Sequence, residues 1–205
     1  MKCLEDYLPG FFIGLNCINF VVLNSFTMRK LKNSELERKT VEEFKKTDKY
    51  PVVIVLDNVR SLNNVGSVFR TGDGFLIDAV YLCGITACPP HRDIHKTALG
   101  ATDSVNWKYF TKTEDALQEL KKKGYTICSI EQAEKSKNLA EFTPSKDNKY
   151  ALIFGHEVKG VQQSIVDQSD MCIEIPQHGT KHSFNISVSV GIVLYHFYYH
   201  LINKE

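Results

Sequence analysis

No charge of one sign dominates this 205-residue chain: 25 lysines and arginines stand against 24 aspartates and glutamates, a formal net charge of +1. That balance excludes a polybasic coating protein of the histone kind. It leaves room for nucleic acid held by a local basic patch. Repeats, low-complexity tracts and linkers are absent, so fibres and strings of domains are excluded. The six cysteines include no C-x-x-C pair and no Cys/His cluster at zinc-finger spacing. Buried free thiols in a reducing, cytoplasmic setting are expected instead. Several catalytic fingerprints are missing as well: no G-x-G-x-x-G after a strand, no G-K-[ST], no H-E-x-x-H and no G-x-S-x-G. His91 and His95 lie four residues apart, but Asp93 is the single nearby carboxylate, so no metal is expected there.

What is present suits a folded α/β protein: 43% hydrophobic and 24% charged residues. Residues 10–26 (GFFIGLNCINFVVLNSF) are uncharged and mostly apolar. Glu5 and Asp6 precede them, small-x-small cleavage chemistry is absent, and Asn16, Asn19 and Asn24 interrupt the run. Neither a signal peptide nor a membrane span fits well. The expectation is a start at Met28, with residues 1–27 a non-native or disordered extension. Residues 28–50 then form a charged helical appendage, with Leu31, Leu36, Val41 and Phe44 as its spaced apolar points.

After Pro51 the pattern alternates. VVIVLD (52–57) reads as a strand buried on both faces. Further strands are expected at 78–84, 125–130, 150–154 and 171–175. An amphipathic helix is expected over 111–123, closed by Gly124, and a terminal helix from Ser183, with Ser183 as N-cap. Strands alternating with helices imply one domain over 51–205, a parallel sheet with helices on both faces. Ligands of such sheets sit outside the carboxyl ends of the strands.

Three loops there carry chemistry-bearing residues. The first, after VVIVLD, holds NNVGSVFR: Gly66 admits a close approach, Asn63 or Asn64 can cap a helix, and Arg70 can grip phosphate. The second, GHEVKGV, brackets Glu157 between Gly155 and Gly160, which suits a tight turn with Glu157 at a helix start. The third, PQHGTKHSFNISVSVG, brings Ser183 and Asn185 to the terminal helix. Capping, turn-forming and surface ion pairing would each explain one loop taken alone. A serine hydrolase built on Ser183 and His182 would need a base and an orienter in place.

Taken together, NNVGSVFR, FGHEVKG and IPQHGTKHSFNISVSVG resemble, in order and spacing, the three motifs of the SpoU/TrmH family of RNA 2′-O-ribose methyltransferases, in the SPOUT superfamily. The similarity runs over about residues 52–200, and departs from the family pattern at Gln177, usually Met, and Phe184, often Leu. The resemblance implies a C-terminal trefoil knot, S-adenosylmethionine bound in it, a homodimer, and no membrane or metal.

It implies a cofactor pocket of Ile130, Gly155, Ile175, Ser183 and Asn185. It implies catalytic roles for Asn64, Arg70, Glu157, Ser183 and Asn185. In the family the arginine of the first motif is regarded as the base that activates the ribose hydroxyl. Gripping phosphate and developing oxyanion charge is physically easier for a guanidinium. With only the short charged segment 29–49 before the catalytic domain, tRNA is favoured over rRNA. Arg29, Lys30, Lys32, Arg38, Lys39, Arg92 and Lys96 are the candidate phosphate contacts. The rival reading is a catalytically idle knotted protein that binds or assembles RNA.

Overall fold

The structure is a computed structural model and describes residues 28–202. The expected extension, 1–27, lies outside the described residues. The chain divides into two units after Arg38, and of the first only residues 28–38 are described. In the first, residues 28–38 hold a short 3-10 turn, Asn33–Glu35. Arg29 pairs there with Glu35 at 2.9 Å.

The second unit opens with α1 (Val41–Lys46). A reciprocal capping box starts it: Glu43 N–H donates to the Thr40 hydroxyl at 3.2 Å, and Thr40 N–H donates to the Glu43 carboxylate at 2.7 Å. One helix over 29–49 therefore does not form. Glu37 turns left-handed at φ 44°, and the chain restarts at Thr40. Phe44 of α1 is buried in the core, so residues 39–50 pack with the main unit rather than with an appendage.

The order continues β1 (Tyr50–Asp57), α2 (Leu62–Gly74), β2 (Ile77–Cys83), α3 (Arg92–Ala98), α4 (Ala101–Ser104), β3 (Asn106–Phe110), α5 (Thr113–Lys122) and β4 (Tyr125–Ile130). It ends β5 (Lys137–Asn138), β6 (Lys149–Phe154), α6 (Gln163–Val166), β7 (Met171–Glu174) and α7 (Ile186–Ile202). The strands form one sheet in the order β3-β2-β1-β6-β4-β7-β5, and every pairing is parallel.

The continuous apolar run of β1 is explained by this burial. Val52, Ile54 and Leu56 enter one core cluster with Val65, Val68 and Phe69 of α2 and Val190, Val193 and Phe197 of α7. Val53 and Val55 enter the other, with Ala116, Leu117 and Leu120 of α5 and Ile165 of α6. The period-2 geometry of a strand feeds both cores at once. Each fully buried aliphatic contributes about 1.5–3 kcal/mol.

Three local expectations are corrected. The N-cap of α2 is Ser61, whose hydroxyl accepts the Asn64 N–H at 3.3 Å, so Asn64 lies inside the helix. The terminal helix is capped by Asn185, not Ser183: its side-chain oxygen accepts from Ser187 N–H at 2.9 Å. Glu157 lies in a turn, not at a helix start.

Gly66 meets a neighbour rather than a ligand. A Cβ there would lie 2.1 Å from Thr97 Oγ1 and 2.2 Å from the Ile94 carbonyl oxygen, where α3 crosses α2. Gly66→Ala is expected to destabilise the fold by about 1–3 kcal/mol, the cost of overpacking. Gly74→Ala, whose Cβ meets nothing within 4 Å, is expected to be neutral or to gain up to about 1 kcal/mol of helix propensity. Urea midpoints of the two variants measure the contrast.

Candidate active site

The carboxyl ends of β4, β6 and β7 open onto a cavity of about 970 Å³. Its walls are the segments that follow those strands: Ile130 to Glu134, Phe154 to Val161, and Ile175 with His182 to Ile186. Ile130, Gly155, Ile175, Ser183 and Asn185, the residues expected at the cofactor, all line it. So do Gln177 and Phe184, the two departures from the family pattern.

The turn after β6 is unusually tight. His156 N–H donates to the Gly160 carbonyl at 3.0 Å, and Gly160 N–H returns the bond at 2.8 Å. The chain folds back so closely that a Cβ on Gly155 would stand 2.1 Å from the Gly160 carbonyl carbon and the Val161 nitrogen. Only glycine fits. Glu131, just past β4, accepts Val161 N–H at 3.0 Å and so holds this turn from the far side.

The turn aims Glu157 at the start of α2. Its carboxylate accepts Ser61 N–H at 2.9 Å, Arg60 N–H at 3.1 Å and the Asn64 amide at 3.3 Å. The Asn64 side-chain oxygen in turn accepts the Asn185 amide at 3.2 Å. Asn185 spends its own oxygen on the cap of α7. One hydrogen-bonded chain, Glu157–Asn64–Asn185–Ser187, thus joins all three motifs. Burial pushes the Glu157 carboxyl up, but the Arg60 and Ser61 amides, with Asn64, outweigh it and leave the group below its ordinary value of 4.5.

The remaining expected residues are placed as follows. Arg70 lies on α2, exposed, with no hydrogen bond or ion pair among the described residues, and outside the cavity lining. Ser183 makes no hydrogen bond to His182 among the described residues; the His182 carbonyl instead accepts the Gln132 side-chain amide at 2.8 Å. A charge-relay arrangement is not formed there. Lys30, Lys32, Arg38 and Lys39 are exposed. Arg92 and Lys96 are exposed on α3.

Sequence reasoning missed Glu131 and Gln132 in the cavity wall, and Asp57 at the end of β1. Fully buried, Asp57 accepts from Asn58 Nδ2 at 2.9 Å, Thr113 Oγ1 at 2.6 Å, Gln162 N–H at 3.1 Å and Gln162 Nε2 at 2.9 Å. The signal available was position: each stands at or just past the carboxyl end of a strand.

A parallel α/β sheet whose strand-end loops meet in one polar chain beside a large cavity defines a ligand-handling protein of the doubly wound kind. Comparison with known proteins gives the family. The chain matches the model of the SpoU rRNA Methylase family over residues 51–195. A protein of Borreliella burgdorferi named "Uncharacterized tRNA/rRNA methyltransferase" is 30% identical over 172 residues, 82% of this chain and 74% of that protein. The tRNA (guanosine(18)-2′-O)-methyltransferase of the same organism is 30% identical over 144 residues, 70% of this chain and 64% of that protein. The AdoMet-bound rRNA methyltransferase from Sinorhizobium meliloti shares the fold, with TM-score 0.70 and 23% identity over 76% of this chain and 59% of that one. This chain belongs to the SpoU rRNA methylase family.

Because its folded value is depressed, ionised Glu157 stabilises the protein above the ordinary carboxyl pKa, and the contribution fades as pH falls through the depressed value. Glu157→Gln is expected to lose about 1–3 kcal/mol near neutrality, the scale of hydrogen bonds to a charged acceptor. Urea unfolding from pH 7 down to pH 3 (about one unit below the usual carboxyl range) should show the gap between wild type and variant narrowing. A gap that stays constant would contradict the assignment.

Proposed function

We propose that this chain transfers a methyl group from S-adenosylmethionine to a ribose 2′-hydroxyl of RNA, with tRNA favoured over rRNA. The observation that carries the reading is the Glu157–Asn64–Asn185 chain, which ties the first family motif to the second and third, the two that line the cavity. The cavity fits the cofactor in kind. Its volume of about 970 Å³ lies in the range of small-molecule sites. Apolar Ile130, Phe154, Ile175 and Ile186 stand beside polar Glu131, Gln132, Ser183 and the turn backbone. The AdoMet in the Sinorhizobium neighbour supports the same ligand here.

The cofactor, when bound, supplies a sulfonium-activated methyl group. Ile130, Gly155, Ile175, Ser183 and Asn185 would hold it. The chain's own contribution is orientation, and fixing two reactants in line can supply several kcal/mol of a barrier. Glu157 and Asn64 keep the start of α2 registered against the cavity, so the helix carrying Arg70 has a fixed position. Arg70 has no competing partner among the described residues. A guanidinium hardly gives up its proton, so Arg70 acts by gripping the target phosphate and opposing charge on the ribose oxygen.

The wider reading includes the C-terminal trefoil knot and the homodimer that the family resemblance implies. Exposed Lys30, Lys32, Arg38 and Lys39, in the segment before the methyltransferase domain, would contact phosphate. Arg29 does so only by giving up Glu35. The tRNA preference rests on the named activity of the second Borreliella relative. Free Cys83, Cys88, Cys128 and Cys172 suit a reducing, cytoplasmic setting.

Incubation with methyl-labelled S-adenosylmethionine and fractionated total RNA is expected to label ribose in the tRNA fraction; no label in any RNA would overturn the enzyme reading in favour of an idle binding protein. Arg70→Ala is expected to cut transfer by about 10²- to 10³-fold, the scale of losing one transition-state contact. Its melting midpoint and cofactor affinity should match wild type. Undiminished turnover would remove Arg70 from the site.

A further inference from the structure

A second cavity, of about 450 Å³, shares no lining residue with the first. Its walls come from the loop and helix after β2 and from the edge strand β3. Pro90 gives exposed apolar surface, Ile94 lines the cavity from the core, and Trp107 is 38% exposed. The side chains of Arg92, His95 and Asp103 stand at its rim, none with a hydrogen bond or ion pair among the described residues. Lys96 is exposed on the same short helix. Trp107 lies on the outermost strand of the sheet, where the ladder ends. Over a third of its surface stays open to solvent there.

The cavity is coupled to the first motif. Its helix α3 crosses α2 at Gly66, where backbones nearly touch. Thr97 Oγ1 also donates to the Asn63 carbonyl at 3.0 Å. The wall of this second cavity is therefore fixed to the helix that carries Asn64 and Arg70.

We infer that this cavity is an accessory RNA subsite that takes one unstacked nucleotide of the substrate away from the reacting ribose. The base would stack on Trp107, because every base offers a π-face and stacking is worth a substantial part of single-strand affinity. Exposed Pro90 would add an apolar contact. The Asp103 carboxylate can accept an exocyclic amine or ring N–H of the base, and Arg92 meets the adjoining phosphate as a planar fork. Asp103 alone on the lining would repel phosphate; Arg92 and Lys96 oppose it. The inference rests on the RNA reading above, which supplies both a base and a phosphate here.

Trp107 is the only tryptophan in the chain, so its fluorescence reports on this cavity directly. Full-length protein is titrated with a single-stranded oligoribonucleotide of about a dozen residues, enough to cover one binding groove. Saturable quenching is expected. Arg92→Ala, an exposed change, is expected to weaken that titration about tenfold or more, and Trp107→Ala to weaken RNA binding by filter retention similarly, the size of one lost stacking contact. Cofactor affinity by calorimetry should be unchanged in both. Unquenched fluorescence, or variants that bind RNA as wild type does, would overturn the subsite while leaving the methyltransferase reading intact. Wild type that neither binds nor methylates any RNA would instead overturn that reading itself. Quenching that survives Arg92→Ala undiminished also counts against the subsite, since it would report RNA bound elsewhere.

Discussion

To accept hydrogen bonds from the N-terminal edge of α2, the Glu157 carboxylate gives up part of its hydration. Desolvation on its own would favour the protonated acid. The Arg60 and Ser61 amides and the Asn64 side chain reverse that preference. Charge-assisted bonds of this kind are stronger than neutral ones, and here they do work across distance in sequence: Glu157 and Asn64 are 93 residues apart, Asn64 and Asn185 121. Displacing any one of these loops would give up those bonds and leave the buried Asn64 side chain short of partners. The candidate catalytic carboxylate and amides are thus the groups that assemble the site.

Around that network, space is as constrained as charge. Gly155 is squeezed against the backbone of its own turn, and Gly66 against α3. Asp57 ties the end of β1 to Thr113 at the start of α5 and to Gln162 just past the turn. Glu131 ties the end of β4 to the same turn through Val161. Every tie is made at the carboxyl edge of the sheet, where parallel strands release their chains into loops and where the cavity opens. The amino ends of the strands carry ties of their own, the Tyr125 hydroxyl donating to the Asp78 carboxylate and Ile127 N–H to Asp170 at 2.7 Å, beneath the apolar packing on both faces.

How much of this could be read from residues alone follows from the same division. Buried strands were legible because they are short apolar runs with hard boundaries: Tyr125–Ile130 follows Gly124, which takes φ 78°, and matches the expected limits. Strand β3, NWKYF, was not legible. It is an edge strand with Asn106, Trp107, Lys108 and Tyr109 all exposed, so no burial pattern is written into it. The helix starts were misplaced by one to three residues for a related reason. Ser61, Asn64, Ser183 and Asn185 are all competent caps, and the choice among them is made by partners from other loops. Asn185 caps α7 with its oxygen while its amide reaches Asn64. That partnership spans 121 residues and leaves no local trace. The three motifs were recognisable as a set, but their mutual hydrogen bonding was not.

The contrast between Glu157 and Arg70 shows what the site still has to acquire from its substrate. Glu157, Asn64 and Asn185 are mutually satisfied before any ligand arrives, so they cost nothing to organise when it does. Arg70 is exposed and unpartnered among the described residues. A guanidinium in that condition is free to reorient until a bidentate anion arrives to fix it. The same holds for Arg92 beside Trp107. The molecule therefore separates a rigid half, built from carboxylate and carboxamide groups beside the cavity, from exposed cations that, on the function proposed above, a bound phosphate would order. A chain with a net charge of +1 gains little long-range attraction for RNA from its total charge. On the proposed function, affinity would come instead from such localised contacts, each placed where the rigid half puts its helix.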